Sequence, residues 1–207
     1  MANDNSPKCK KCRQDKIKLF LKGKKCIAKC TLDRKAYSPG QHGQKPSKPS
    51  EYALHLREKQ KLRRIYGLLE RQFKNYFLKA RKEKGVTGEN LIKLLERRLD
   101  NSVYRCGFAV TRSQARQFVG YGHVFVNDKK IDIPSCQIKA GDVIKMKASS
   151  KLMEKIKENI SLSKERGVPA WIEVDEANLA GIVKMLPTRQ DFILPIDEQM
   201  IIEFYSR

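Results

Sequence analysis

The sequence predicts an α+β protein: an N-terminal metal knuckle and a helical domain, followed by a small α+β module with antiparallel strands. Three observations carry that expectation. Two close cysteine pairs sit in the most basic quarter of the chain, and apolar residues recur at helical spacing between residues 50 and 95. From about Glu96 to Met146, short helical patterns give way to alternating strand patterns. With 207 residues the chain can bury one or two modest cores, and two are expected. The expected division is 1–49 knuckle and basic arm, 50–95 helical domain, 96–160 α+β module, and 161–207 a C-terminal segment packing back on the body.

The knuckle rests on Cys9, Cys12, Cys26 and Cys30, with thirteen residues between the pairs. Sulfurs two or three residues apart close on one ion without straining the turn, and two such pairs complete a tetrahedron with bonds of about 2.3 Å. A full set of four thiolates leaves no position for water, so the expected site is structural and holds one Zn2+. Lys8, Lys10, Lys11, Lys25 and Lys29 surround the sulfurs and offset the charge of a tetrathiolate. The segment has too few apolar residues to fold alone, so the metal stands in for a core. Zinc is favoured over an iron–sulfur centre by ligand type, and over disulfides by a reducing compartment. Cys106 and Cys136 stand alone and read as small hydrophobes.

Formal net charge is +21, far beyond what solubility requires, and counterion release from a nucleic acid is the commonest reason to carry it. The charge is uneven. The first 50 residues hold 14 Lys+Arg against 3 Asp+Glu, whereas residues 151–207 hold 8 against 10. The C-terminal end therefore reads as a packing or protein-contact surface, and the rest as facing phosphate. The residues before Pro7 lack the apolar segment of a signal peptide, and no run of about 18 apolar residues occurs anywhere. A cytoplasmic protein is expected, with no membrane partner and no homo-oligomer.

Residues 31–50 carry Pro39, Gly40, Gly43, Pro46 and Pro49 among Arg34, Lys35, Gln41, His42, Gln44, Lys45 and Lys48. That density of breakers predicts an extended arm shaped by what it touches. A plain linker would need neither the cations nor the amide and aromatic groups that bond to nucleotides. Ser50 then caps a helix with Leu54, Leu62 and Ile65 on one stripe, and Arg57, Lys61 and Arg64 place three cations on one face. Like charges at that spacing repel; a solvated face is the usual explanation of such a run, but because it continues the arm's charge it reads as a phosphate contact. A second helix carries Leu69, Phe73, Tyr76, Phe77 and Ala80 and ends near Gly85; a third starts near Thr87 and buries Leu91, Leu94 and Leu95.

In the module, Thr111-Arg112-Ser113-Gln114 has capping-box spacing, and Ala115, Phe118 and Val119 form the buried stripe of the helix that follows. Arg112 and Arg116 sit in the first turns, where the helix dipole is already positive, so a phosphate at this helix start would resolve the conflict. Gly120-Tyr121-Gly122-His123 ends the helix, and Val124-Phe125-Val126 leads into a turn at Asn127-Asp128 with Lys129 and Lys130 beside it. His123 reads equally as a nucleotide contact and as a partly buried histidine. Ile131 and Ile133 read as a return strand, and in Val143–Lys147 the residues Ile144 and Met146 face inward while Lys145 and Lys147 face outward.

These segments resemble a known family. Leu95–Asn101, Arg105–Ala109, Thr111–Gln117, Gly122–Asn127 and Lys139–Asp142 closely resemble the ribosomal S-four protein family of the bacterial small subunit and the RNA-binding module named after it. The likeness extends to Tyr37–Gly43, Arg57–Gly67 and the closing Glu203-Phe204-Tyr205-Ser206-Arg207, and so covers nearly the whole chain. The resemblance implies a primary binder of small-subunit ribosomal RNA that recognises a multi-helix junction in the five-prime domain. It also implies a protein that helps start subunit assembly, influences decoding accuracy, and neighbours ribosomal proteins S-three and S-five where messenger RNA enters. With these cysteines the chain resembles the zinc-bearing branch of the family, although the second pair is often one residue wider there. Asp128 stands where many relatives have glycine, which leaves the turn type open.

The candidate RNA contacts on the arm are Lys22, Lys24, Arg34, Gln41, His42 and Gln44, and on the first long helix Arg57, Lys61, Arg63 and Arg64. In the module they are Arg112, Arg116, Gln117, His123, Lys129 and Lys130. Pseudouridine synthases can carry the same module and use an Arg-Leu-Asp motif, which Arg98-Leu99-Asp100 superficially fits. Asn101-Ser102-Val103-Tyr104 follows in place of the continuation expected there, and no nucleophile and base pair stands elsewhere. No enzyme is expected. A zinc-dependent DNA regulator would need a finger with a recognition helix, which the cysteine loop does not encode.

Overall fold

The computed structural model describes residue 4 and residues 6–45, 48–147, 149–163, 167–192 and 196–206; Pro46 of the arm and Arg207 of the closing motif lie outside the described residues. The helices are α1 (Lys8–Asp15), α2 (Lys24–Ala28), α3 (Thr31–Arg34), α4 (Glu51–Tyr66), α5 (Glu70–Lys82), α6 (Thr87–Glu96), α7 (Leu99–Arg105), α8 (Arg112–Gly120), α9 (Ser150–Ser163) and α10 (Glu198–Ser206). The strands are β1 (Val124–Val126), β2 (Lys129–Lys130), β3 (Val143–Met146), β4 (Ile172–Asp175) and β5 (Ala180–Val183). The chain divides into two compact units, residues 1–91 with 194–207 and residues 92–193, the boundary falling inside α6. Among the described residues no helix is long and apolar enough to cross a membrane.

In the first unit, the Ser50 hydroxyl accepts from the Ala53 N–H at 3.3 Å and starts α4. Gly67, left-handed at φ 64°, closes it, with Leu68 N–H donating to Arg63 C=O and Gly67 N–H to Arg64 C=O. Leu62, Ile65 and Tyr66 of α4 are buried, as are Phe73, Tyr76, Phe77 and Ala80 of α5. The expected core residue Leu54 is 40% exposed. The inner stripe of α4 instead runs through His55, Lys59, Leu62 and Tyr66, so two polar residues occupy core positions. They are buried because α10 covers them. His55 Nε2 lies 3.3 Å from a Glu203 carboxylate oxygen, and Lys59 Nζ donates to Glu70 at 2.7 Å while lying 4.6 Å over the Phe204 ring. Tyr205 stacks on Phe77 at 4.6 Å and donates its hydroxyl to Glu70 at 2.9 Å.

The second unit is built on an antiparallel sheet of order β2-β1-β3-β5-β4. Val124 faces Met146 and Val126 faces Ile144, so β1 and β3 turn one face into a core with Val103, Phe108, Phe118, Ile138 and Trp171. Ile144 and Met146 are buried with Lys145 between them at intermediate exposure, which is the expected alternation. β4 and β5 come from a stretch that the sequence reading assigned to a separate C-terminal segment. They are sheet strands here, and residues 194–207, which carry α10, belong to the first unit. Asn159 and Ser163 of α9 bond the Phe108 and Gly107 carbonyls at 3.0 and 3.3 Å, fixing that helix to the loop before α8.

The expected return strand through Ile133 is cut short. The strand ends at Lys130, with one further bond from Ile131 N–H to Val124 C=O at 3.1 Å, and Ile133 is 58% exposed. The chain leaves the hairpin because its carbonyls are wanted elsewhere: Asp100 N–H donates to Pro134 C=O at 3.2 Å and Leu99 N–H to Cys136 C=O at 2.9 Å, satisfying first-turn donors of α7. The Thr111–Gln114 cap is also one-sided. Thr111 accepts from the Gln114 N–H, but the Gln114 side chain reaches back to Val110 rather than to Thr111.

Gly181 of β5 faces the fully buried Cys106, and a Cβ there would sit 2.6 Å from its sulfur. Gly181→Ala is therefore expected to destabilise the protein by about 1–3 kcal/mol through overpacking. Pairing it with Cys106→Ala should recover part of that loss, measured as a non-additive double-mutant cycle in urea. At Glu70, burial alone raises the carboxyl, but the bonds from Lys59 and Tyr205 outweigh it and hold the group below the usual carboxylate range. The stabilisation is thus complete at neutral pH and lost as pH falls through the lowered value. Glu70→Gln should cost about 0.5–1 kcal/mol at pH 7, and its melting temperature should converge with that of the parent as pH falls through the lowered value.

Candidate nucleic-acid interface and cysteine pocket

Cys9 and Cys12 on α1, Cys26 on α2 and Cys30 before α3 line one pocket with Lys8, Leu21, Lys22, Lys25, Thr31 and Leu32. The short helices bring both cysteine pairs to the same place. The Cys26 sulfur accepts from the Lys22 N–H at 3.3 Å, and Cys12 accepts from the Leu19 N–H. Amide donors aimed at sulfur are the surroundings a thiolate needs. Burial, opposed by those amides, raises the Cys12 and Cys26 thiols, and the neighbouring sulfurs push them further the same way. The zinc knuckle expected from the spacing is not formed as a closed centre. Among the described residues no group of three or more His, Cys, Asp or Glu is arranged to hold a metal ion. What the fold presents is a cysteine-lined pocket whose donor set suits zinc.

The arm leaves this pocket through α3, a short helix where the sequence suggested extended chain, and then runs without helix to Ser50. It is tied down by Arg13, which donates to the Tyr37 and Ser38 carbonyls at 2.9 and 3.3 Å and stacks 4.8 Å over the Tyr37 ring. Gly43 is required by a close approach, since a Cβ would collide with the Ser38 carbonyl. Lys22, Lys24, Arg34, Gln41, His42 and Gln44 are all exposed along this stretch. They can meet a phosphate backbone without rearrangement of the core.

The cations of α4 are differently disposed. Arg64 donates to both Asp15 oxygens at 2.6 and 2.8 Å and joins α4 to α1; Lys61 pairs with Glu58; Arg63 bonds Gln60 at 2.8 Å and lies 3.7 Å from Glu70. The face that looked like three mutually repelling cations is therefore partly neutralised by acids. Arg57 is half-buried. Asp15 itself is raised by burial, against the pull of Arg64.

In the second unit the centre of the arrangement is Glu96, fully buried at the end of α6. It accepts from Arg105 through two bonds of 2.9 and 2.7 Å and from Asn101 at 2.6 Å, with an Arg112 nitrogen at 4.0 Å. Arg112 donates to Asn101 at 2.8 Å and lies 4.3 Å over the Tyr104 ring. The guanidinium expected at a helix-start phosphate thus also braces α8 against α7. Arg98, fully buried, clasps Asp100 at 3.0 and 2.7 Å, so Arg98-Leu99-Asp100 is an internal ion pair with its carboxylate engaged.

Arg116 and His123 are half-buried, while Gln117, Lys129 and Lys130 are exposed. Asn127 and Asp128 both adopt positive φ, 50° and 63°, which makes the two-residue hairpin type I′. Asn127 bonds Asp142 and the Val143 N–H, and Lys145 pairs with Asp128 at 2.8 Å, so glycine is dispensable there. Three neighbours were not singled out from sequence. Tyr121 is 71% exposed and stands edge-on to His123 at 6.4 Å, and Lys147 lies 4.7 Å over the Phe125 ring. The aromatic-and-basic composition of Tyr121–Lys130 was a visible signal, but the exposure of Tyr121 depends on how α8 ends.

Comparison with known proteins agrees with this division. Residues 3–96 match the model of the ribosomal protein S4/S9 N-terminal domain, and residues 97–144 match that of the S4 domain. The chain is 53% identical to the small ribosomal subunit protein uS4 of Thermodesulfovibrio yellowstonii, and equally to that of Oleidesulfovibrio alaskensis. It is 51% identical to the uS4 protein of Geotalea daltonii, and each of the three alignments covers all of both chains. Two successive domain models and full-length relatives at half identity leave one assignment: the chain belongs to the small ribosomal subunit protein uS4 family.

Proposed function

We infer that the chain is a structural constituent of the small ribosomal subunit that works by binding ribosomal RNA in the cytoplasm and catalyses no reaction. The observation that carries this reading is full-length similarity at about half identity to uS4 proteins. The surface supports it, because exposed cations and amides line the arm from Lys22 to Gln44 and reappear at Lys129 and Lys130. Binding then releases counterions at several helices of the RNA and fixes their relative geometry. Specificity comes from RNA shape and 2′-hydroxyls more than from base edges of paired regions.

The finer reading places the protein at a multi-helix junction in the five-prime domain, where holding several helices at once nucleates assembly and bears on translational accuracy. Two separately basic stretches, arm and hairpin, support a junction over a single helix. Ribosomal proteins S-three and S-five, and messenger RNA where it enters the subunit, are the proposed neighbours. The acidic-leaning end of the chain supports protein contact, with Glu173 and Glu176 exposed around the β4–β5 turn.

Zinc belongs to the same proposal. One ion held by Cys9, Cys12, Cys26 and Cys30 would supply a crosslink in a segment with few buried apolar side chains. The support is their shared pocket, the amide donors to sulfur and the lysines around them. Purified protein should carry about one zinc per chain by metal analysis, and Cys9→Ser or Cys26→Ser should lose it. Proteolytic protection of residues 8–34 should fall with the metal while residues 92–193 stay protected; full metal content in both variants would refute the site.

The RNA reading is tested by titrating the five-prime domain of small-subunit ribosomal RNA across a salt series with duplex DNA as competitor. Tight, salt-steep and RNA-selective binding is expected. Replacing Lys22 and Lys24 with alanine should lower the log–log salt slope by about one per lost phosphate contact. Equal affinity for DNA would reduce the protein to a generic polycation.

A further inference from the structure

We propose that Tyr121, His123 and Lys130 form a platform for one unpaired nucleobase of the RNA, a contact separate in kind from the phosphate contacts around it. The inference rests on the RNA-binding reading and assigns this corner of the second unit a role in specificity.

The corner is built by the way α8 ends. Tyr121 is the residue after the last helical position, and Gly122 follows at φ +74°. His123 N–H donates to Phe118 C=O at 3.0 Å and Gly122 N–H to Val119 C=O at 2.9 Å, the paired bonds of a Schellman close. Tyr121 N–H donates to Gln117 C=O at 2.9 Å, and His123 C=O accepts from the Lys147 N–H at 2.9 Å. Every backbone donor under the two rings is therefore satisfied, and the rings project from a rigid base.

Their arrangement is unlike that of a buried aromatic pair. Tyr121 is 71% exposed, the most exposed of the large hydrophobic side chains described, and the His123 ring stands at 80° to it. The Lys130 side chain lies across Gly122, the residue that joins them, so closely that a Cβ there would overlap its Cε and sit 2.6 Å from its ammonium nitrogen. Lys129 is exposed alongside, and Lys147 occupies the face of Phe125 on the neighbouring strand. A phosphate needs only the lysines. An open aromatic face adds nothing for a phosphate, but it is what an unstacked base requires, with the adjacent ammonium available to the phosphodiester on either side.

An unpaired base is favoured over a duplex because paired bases offer no open face to stack on. Loss of one stacked base reads as about a tenfold weakening of binding, or about 1.4 kcal/mol.

The test uses the full chain, the five-prime domain RNA and a fully paired RNA duplex as two ligands. Tyr121→Ala is expected to bind the five-prime domain about tenfold more weakly with an unchanged salt slope, and to bind the duplex like the parent. Tyr121→Phe should retain affinity, and Lys130→Ala should instead lower the salt slope by about one. Chemical probing should find an unpaired base shielded by the parent and by Tyr121→Phe, and exposed with Tyr121→Ala. If the parent binds the RNA selectively and Tyr121→Ala binds equally well, the platform is wrong while the RNA reading stands. If Phe and Ala weaken binding alike, a hydroxyl bond replaces stacking and the proposal fails. Absence of RNA-selective binding by the parent would remove both.

Discussion

The buried carboxylate of Glu96 is the constraint on which the second unit turns. It receives Arg105 and Asn101 directly and Arg112 at longer range, and these residues come from α7 and α8. A carboxylate taken wholly out of water is tolerable only when its lone pairs are filled by charged or strongly polar donors, and here they are. The same bonds orient α8, whose end sets the Tyr121 corner and whose N-terminal turn carries Arg112. The position of an outward surface thus depends on a group that no solvent reaches.

The two kinds of cation are divided accordingly. Arg64, Arg98 and Arg105 spend guanidinium bonds on interior acids and Arg112 on the Asn101 amide oxygen beside Glu96, whereas Lys22, Lys24, Lys129 and Lys130 stand in solvent. A planar fork with fixed donors suits a buried carboxylate, and a strongly hydrated ammonium on a flexible stem suits a phosphate whose exact place is set by the partner. A formal charge of +21 therefore overstates what the surface offers in some places, notably on α4, and describes it well on the arm.

Much of this was legible in the residues. Periodicity located α5, α6 and α8, the Ser50 and Thr111 caps, and the alternation of β3, because in those elements apolar residues fill the buried stripe. On α4 it found Leu62 and Ile65 but misplaced Leu54, because His55 and Lys59 take core positions whose burial is explained by α10, a partner about 140 residues away in sequence. It gave no reading of β4 and β5, because these four-residue strands gain their meaning from pairing, β5 with β3 and β4 with β5. The candidate contacts on the arm could be placed from exposure-prone composition alone. Arg112 could not, since the donors and acceptors that turn it inward are scattered over α6 and α7. The cysteine spacing foretold that the two pairs would meet in one place.

The docking of α10 onto α4 has a consequence for how the molecule is made. The helix that covers His55 and Lys59 lies beyond residues 92–193 in the chain, so those residues must be synthesised before the cover exists. Until then α4 presents a half-polar stripe with no lid, and the second unit, whose strands and helices are contiguous, has every piece it needs. Domains tend to fold in the order in which their parts become available. In this protein vectorial synthesis therefore runs against the numbering: the C-terminal unit is complete first, and the N-terminal one matures last.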